Sequence, residues 1–157
     1  MQRGALQRQR QILFCRGIRE YQWRPELRNR YFKGCRGRKD ISYLPWARDG
    51  PSTECVVFEG FIDYLSALTL GIISGVDAII LNSVVNVYKV MPYLKDYITI
   101  NCYLDNDTAG RTALTELTAI YGSTVIDRSI LYSEFNDLNE YLTNQSFTKN
   151  TLSNENK

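Results

Sequence analysis

The chain of 157 residues contains no histidine, and its four cysteines (Cys15, Cys35, Cys55 and Cys102) form no C-x₂-C pair. These absences argue against zinc fingers and zinc enzymes, which need thiolates and imidazoles at short spacings. They also exclude Ser/His and Cys/His nucleophilic pairs within the chain. No glycine-rich loop runs into Lys-Ser/Thr, so a P-loop is absent. No stretch reaches 18 apolar residues, which argues against a membrane span. The N-terminus, MQRGALQRQRQ, has no apolar segment of the secretory kind. A cytoplasmic protein is expected, with Cys55 and Cys102 as reduced thiols packed in apolar strands.

What is present suffices for a core. Apolar residues make up 44 % of the chain, and the net charge is only +2. That small figure conceals a split: residues 1–50 carry 13 Lys/Arg and 4 Asp/Glu, whereas residues 51–157 carry 6 and 13. A basic arm ahead of an acidic body suits contact with a nucleic-acid backbone. It equally suits a solvated arm, or one that neutralises an acidic partner. Within the arm, aromatic and basic residues interleave from Tyr21 to Lys39 and are broken by Gly34 and Gly37, which predicts short strands or loops. Ile12–Cys15 reads as another short strand. Pro45, Gly50 and Pro51 mark a boundary, giving an arm or partial subdomain over 1–50.

Beyond residue 51 apolar runs alternate with helical ones. Strands are predicted at Cys55–Phe58, Ala78–Leu81, Tyr97–Leu104 and Thr124–Ile126. Helices are predicted at Phe61–Leu70, Val87–Leu94 (interrupted by Pro92), Ala109–Tyr121 and Asp137–Leu142. Strands that are apolar on both faces and separated by helices indicate a four-stranded, mostly parallel α/β sheet with helices on both faces, over 51–143. Residues 144–157 are rich in Asn, Ser, Thr and Lys and are expected to be a disordered tail.

In such folds ligands bind beyond the C-terminal strand ends. Glu59 follows the first strand, with Asp63 just after it; Asp105 and Asp107 follow the third. If those strands are neighbours, the carboxylates converge, and their mutual repulsion raises their pKa values unless a cation compensates. A divalent-metal site working on phosphates is therefore the leading functional reading. A single acid at a strand end can instead be a helix cap. Asp105–Glu116 partly imitates a calcium loop, but Ala109 fails its fifth position and an apolar strand precedes it. Asn82 and Ser83 are candidates for phosphate contact, or for an Asx-type turn. Arg111, in the first turn of the third helix, can meet a phosphate or remain solvated. Asp137 either caps its helix or extends the acidic rim.

With these pieces in place, residues 55–142 resemble the Toprim domain shared by bacterial-type DNA primases, type IA and type II topoisomerases and some nucleases. The resemblance is carried by Glu59-Gly60-Phe61-Ile62-Asp63 and Asp105-Asn106-Asp107. Leu104–Arg111 and Asn136–Leu142 are closer to the primase version. Glu26–Gly34 resembles a segment ahead of the core in primase-like proteins of Bacteroides-type bacteria and their mobile elements. The resemblance implies RNA primer synthesis on single-stranded DNA from nucleoside triphosphates. Glu59 would be the acid/base or metal-binding glutamate, Asp105 and Asp107 the metal-binding pair and Asp63 a supporting acid, with Mg²⁺ or Mn²⁺ as the ion. Arg24, Arg28, Arg30, Lys33, Arg36 and Arg38 would guide the template, and contact with a replicative helicase would use regions absent here. The zinc-binding domain of complete primases has no counterpart, so a fragment or reduced paralogue is implied, one that need not be active alone. Asn82-Ser83 stands where glycine is common in the family. The alternatives are a Toprim-type endonuclease or topoisomerase-like domain, and a non-catalytic nucleic-acid-binding or assembly module.

Overall fold

The computed structural model describes residues 12–15, 24–29, 32–35, 40–46 and 50–145, the first three of these segments as backbone strands. Those three, β1 (Ile12–Cys15), β2 (Arg24–Asn29) and β3 (Phe32–Cys35), form an antiparallel sheet in the order β1-β2-β3. The short strands expected in the basic arm are thus present.

The body is built on a second sheet. Its strands are β4 (Ser42–Leu44), β5 (Glu54–Phe58), β6 (Asp77–Ile80), β7 (Thr99–Tyr103) and β8 (Val125–Asp127), in the order β4-β6-β5-β7-β8. β6, β5, β7 and β8 run parallel, while β4 lies antiparallel along β6. The sheet therefore has five strands rather than the expected four. The added edge strand comes from residues that the composition assigned to the arm. Pro45, Gly50 and Pro51 lie in the connection from β4 to β5. Residues 144–145 of the expected tail are helical, and the rest of it lies outside the described residues.

Four helices cover the sheet: α1 (Phe61–Leu70), α2 (Val87–Leu94, with Pro92 inside), α3 (Thr108–Tyr121) and α4 over residues 138–145. Because successive strand residues face opposite ways, each central strand feeds two cores. Cys55, Val57, Ile79, Ile100 and Cys102 pack with Val90 and Leu94 of α2 and Ala113 and Leu117 of α3. Val56, Phe58, Ile80 and Tyr103 pack with Ala67 of α1 and Leu138 of α4. The phenyl ring of Phe58 stacks on Tyr103 at 5.0 Å between centroids. This double covering explains the absence of polar alternation in the strands. Gly71 closes α1 in the left-handed region, at φ 68°, where a side chain would be strained. No helix among the described residues is long and apolar enough to cross a membrane.

Candidate metal centre

The chain leaves β5 through α1 to β6 on one side, then passes through α2 to β7 on the other. The crossovers therefore diverge between β5 and β7, which is where a parallel sheet opens a crevice at its carboxyl edge. Phe58 stands opposite Tyr103 in the register. Glu59, one residue past β5, and Asp105, two past β7, consequently emerge side by side on that edge.

Local structure then aims the acids. Glu59 is half-buried, with its Oε2 shielded from solvent. Asp63, in the first turn of α1, is only 8 % exposed. A Cβ on Gly60 would stand 2.8 Å from Asp63 Oδ2, so the glycine leaves that carboxyl its space. Asp63 Oδ1 accepts the backbone N–H of Asn139 at 3.3 Å. Asp107 caps α3, its Oδ1 accepting the Gly110 N–H at 2.8 Å. Asp137 caps α4 by accepting the Glu140 N–H at 2.7 Å.

The electrostatics tie these groups together. Burial pushes the Asp105 carboxyl up to about 7, and the charges of Glu59, Asp63, Asp137 and Asp107 add to the shift. Asp63 is pushed up to about 6, by burial first and then by Asp137, with Glu59 adding less; the Asn139 N–H pulls the other way. Asp137 thus does both things weighed for it: it caps a helix and it belongs to the rim.

The donor set is made of hard carboxylate oxygens, which matches Mg²⁺ or Mn²⁺ rather than zinc. Among the described residues no three acidic or thiol groups already close into a ligating cluster. Asp63, Asp107 and Asp137 each engage one oxygen with a backbone N–H. A carboxylate accepts at two oxygens, so capping does not preclude ligation. In charge and chemistry the rim fits a hard divalent ion.

One positioning residue went unread in the sequence. Asn106, between the two aspartates, donates from Nδ2 to the carbonyls of Tyr132 (2.9 Å) and Phe135 (2.8 Å), and its N–H donates to Asn136 at 2.7 Å. The Tyr132 hydroxyl donates to the Leu104 carbonyl at 2.9 Å. The acidic loop is thereby stitched to the segment that carries Asp137. An amide between two carboxylates was the only hint, and its partners lie far along the chain.

The remaining candidates are dispersed. Arg111 pairs with Asp127 at 2.9 Å and also donates to the Asn106 side chain. Asn82 sits in the left-handed region at φ 58°, and its Nδ2 holds the Asp40 carbonyl (2.7 Å) and Ser42 Oγ (2.9 Å), anchoring the entry to β4. Ser83 precedes the 3-10 turn Val84–Asn86 and makes no capping bond with its side chain. Arg24 and Arg28 lie in β2 and Lys33 in β3, with Arg28 and Lys33 as cross-strand partners. Arg30, Arg36 and Arg38 lie outside the described residues.

A family model described as Toprim-like matches residues 56–142. No curated protein matches. Among solved structures, the primase fragment of the bacteriophage T7 primase-helicase is similar with a TM-score of 0.57 at 18 % identity, over 78 % of this chain and 52 % of that one. A chain from a T7 complex is similar with a TM-score of 0.55 at 17 % identity, over 74 % of this chain and 63 % of that one. In that complex the lagging-strand DNA polymerase interacts with primase domains bound to an RNA/DNA hybrid and dTTP. The chain therefore spans between half and two thirds of the length of these structures, and the likeness is one of fold.

Proposed function

Since the chain belongs to the Toprim-like family, we propose that it is a metal-dependent nucleotidyl-transfer domain contributing to RNA primer synthesis on single-stranded DNA. The observation that carries this reading is the Asp105 carboxyl, raised by burial first and then by four neighbouring acids at the carboxyl edge of the sheet. Such a concentration of negative charge calls for a cation. Glu59 and Asp105 would hold the ion, with Asp63 and Asp107 beside them. A bound Mg²⁺ or Mn²⁺ would neutralise charge on nucleotide phosphates. Glu59, half-buried beside the rim, would take a proton from an attacking hydroxyl. Asn106 and Tyr132 keep the Asp105 loop in position. Arg24, Arg28, Arg30, Lys33, Arg36 and Arg38 would track the template backbone, and Asn82, Ser83 and Arg111 are proposed phosphate contacts. The partners are then single-stranded DNA and nucleoside triphosphates; contact with a replicative helicase would come from other parts of the assembly.

Incubating the chain with a single-stranded template, ribonucleotides and Mn²⁺ tests the proposal. RNA products that lengthen with time, and disappear in Glu59→Gln and Asp105→Asn, support it. Shortened DNA would instead assign a Toprim-type endonuclease or topoisomerase-like activity. The second reading is a non-catalytic nucleic-acid-binding or assembly module. That reading predicts no product, with DNA binding indifferent to loss of the carboxylates.

A further inference from the structure

The acidic rim has a flank that is not acidic. β6 ends beside β5, with the Leu81 N–H donating to the Phe58 carbonyl at 2.9 Å. Ile80 and Tyr103 both stand level with Phe58 in the register, so the end of β6 lies two strand spacings, roughly 10 Å, from the end of β7. From there the chain passes through the 3-10 turn Val84–Asn86 into α2. The first turn of α2 therefore starts at the same carboxyl edge as Glu59 and Asp105.

This turn is anchored from within. Asn86 Nδ2 donates to the Leu81 carbonyl at 2.8 Å, and its N–H donates to the Ser83 carbonyl at 2.9 Å. Val87 and Val90 are buried in the core shared with Ala113 and Leu117 of α3. Val85 and Tyr88, three residues apart and so on one face, are instead 67 % and 62 % exposed. Beside them Lys89 reaches Asp40 at 3.1 Å, and Asn82 holds the Asp40 carbonyl. Arg36-Gly37-Arg38-Lys39 immediately precedes Asp40 in the sequence. A firmly mounted aromatic face, the point at which a basic run joins the body and the carboxylate rim thus share one end of the sheet.

Two exposed side chains fall far short of the roughly 800 Å² per partner that stable protein interfaces bury. They match the face of a nucleobase. Stacking on an aromatic ring needs no particular base, while neighbouring cations take the phosphates. We propose that Tyr88, with Val85 beside it, is a stacking platform for a base of the single-stranded DNA that the function proposed above requires, and in that respect it rests on that reading.

The test is fluorescence anisotropy of the full chain with a labelled oligothymidine, and with an abasic strand of the same length and charge. Tyr88→Ala is expected to weaken oligothymidine binding by at least about fivefold, the scale of one lost base–aromatic stack. The slope of log affinity against log salt should not change, because no charge is removed. Tyr88→Phe keeps the ring and should bind as the unaltered protein does. Affinity for the abasic strand should be the same in all three. Oligothymidine binding unaltered in Tyr88→Ala overturns the proposal. So does an equal loss on the abasic strand, or the absence of any oligothymidine binding. Primer synthesis on the same template separates the two readings. RNA products from a protein whose DNA affinity ignores Tyr88 overturn the stacking platform alone. Tyr88-dependent binding without RNA products overturns the catalytic reading and supports the platform.

Discussion

Gly110 lies so close to Asp105 that a Cβ on it would stand 2.2 Å from the Asp105 carbonyl oxygen and 3.0 Å from its amide nitrogen. The first turn of α3 therefore packs directly on the backbone that carries the central acid of the rim. Only a residue without a side chain permits that approach.

Gly110→Ala is consequently expected to destabilise the protein by about 1–3 kcal/mol, the usual range for overpacking. An ordinary helical site would instead gain up to about 1 kcal/mol from the same change. Urea unfolding measures the sign. Loss of Mn²⁺ affinity in the folded variant would report displacement of Asp105.

Stability without metal should fall as pH rises from about 4 to 7. Asp105 and Asp63 bind protons more tightly folded than unfolded, at about 7 and about 6 against an ordinary 3.8. Their contribution is therefore complete below the unfolded value and is lost as pH climbs through the folded ones. Metal affinity should run the opposite way, increasing through pH 6–7 as the carboxyls release protons. Thermal melts and calorimetric Mn²⁺ titrations across this window check both signs, and Asp105→Asn should flatten both curves.

Asn106→Ala removes the amide that satisfies the Tyr132 and Phe135 carbonyls. A loss of about 1–3 kcal/mol is expected, the cost of leaving such groups unsatisfied. Hydrogen exchange should show faster opening of residues 104–107 and 132–137 together.

The Arg111–Asp127 pair is partly exposed, with 45 % and 26 % of the side chains accessible. Arg111→Ala should therefore alter stability by less than about 1 kcal/mol. A role in phosphate binding would appear separately, as a raised nucleotide KM with unfolding unchanged.

Neutralising Arg28 and Lys33 together, as Arg28→Gln with Lys33→Gln, should weaken single-stranded DNA binding. The slope of log affinity against log salt should shrink by about 1.4, at roughly 0.7 per phosphate contact on single strands. Fluorescence anisotropy at several salt concentrations measures it.

Much of the body was legible from local pattern. The runs Cys55–Phe58 and Ala109–Tyr121 announce themselves by apolar continuity and by helical spacing with a terminal glycine. β4 did not, since a three-residue strand carries no period and is held by pairing with β6, far along the chain. Asn82 was readable as a turn residue, and its left-handed backbone agrees, but its grip on Asp40 and Ser42 depends on β4 being there. Arg111 offered no local sign that Asp127 would take it.

The sequence by itself determined that Glu59, Asp105 and Asp107 stand at strand ends, because strand limits follow from nearby apolar and turn residues. Tertiary structure alone decided that β5 and β7 are neighbours at the point where the crossovers diverge. It also brought Asp63 and Asp137 into the same field of charge. Carboxylate pKa values respond to distance and burial, and both are set by long-range pairing that no local pattern encodes.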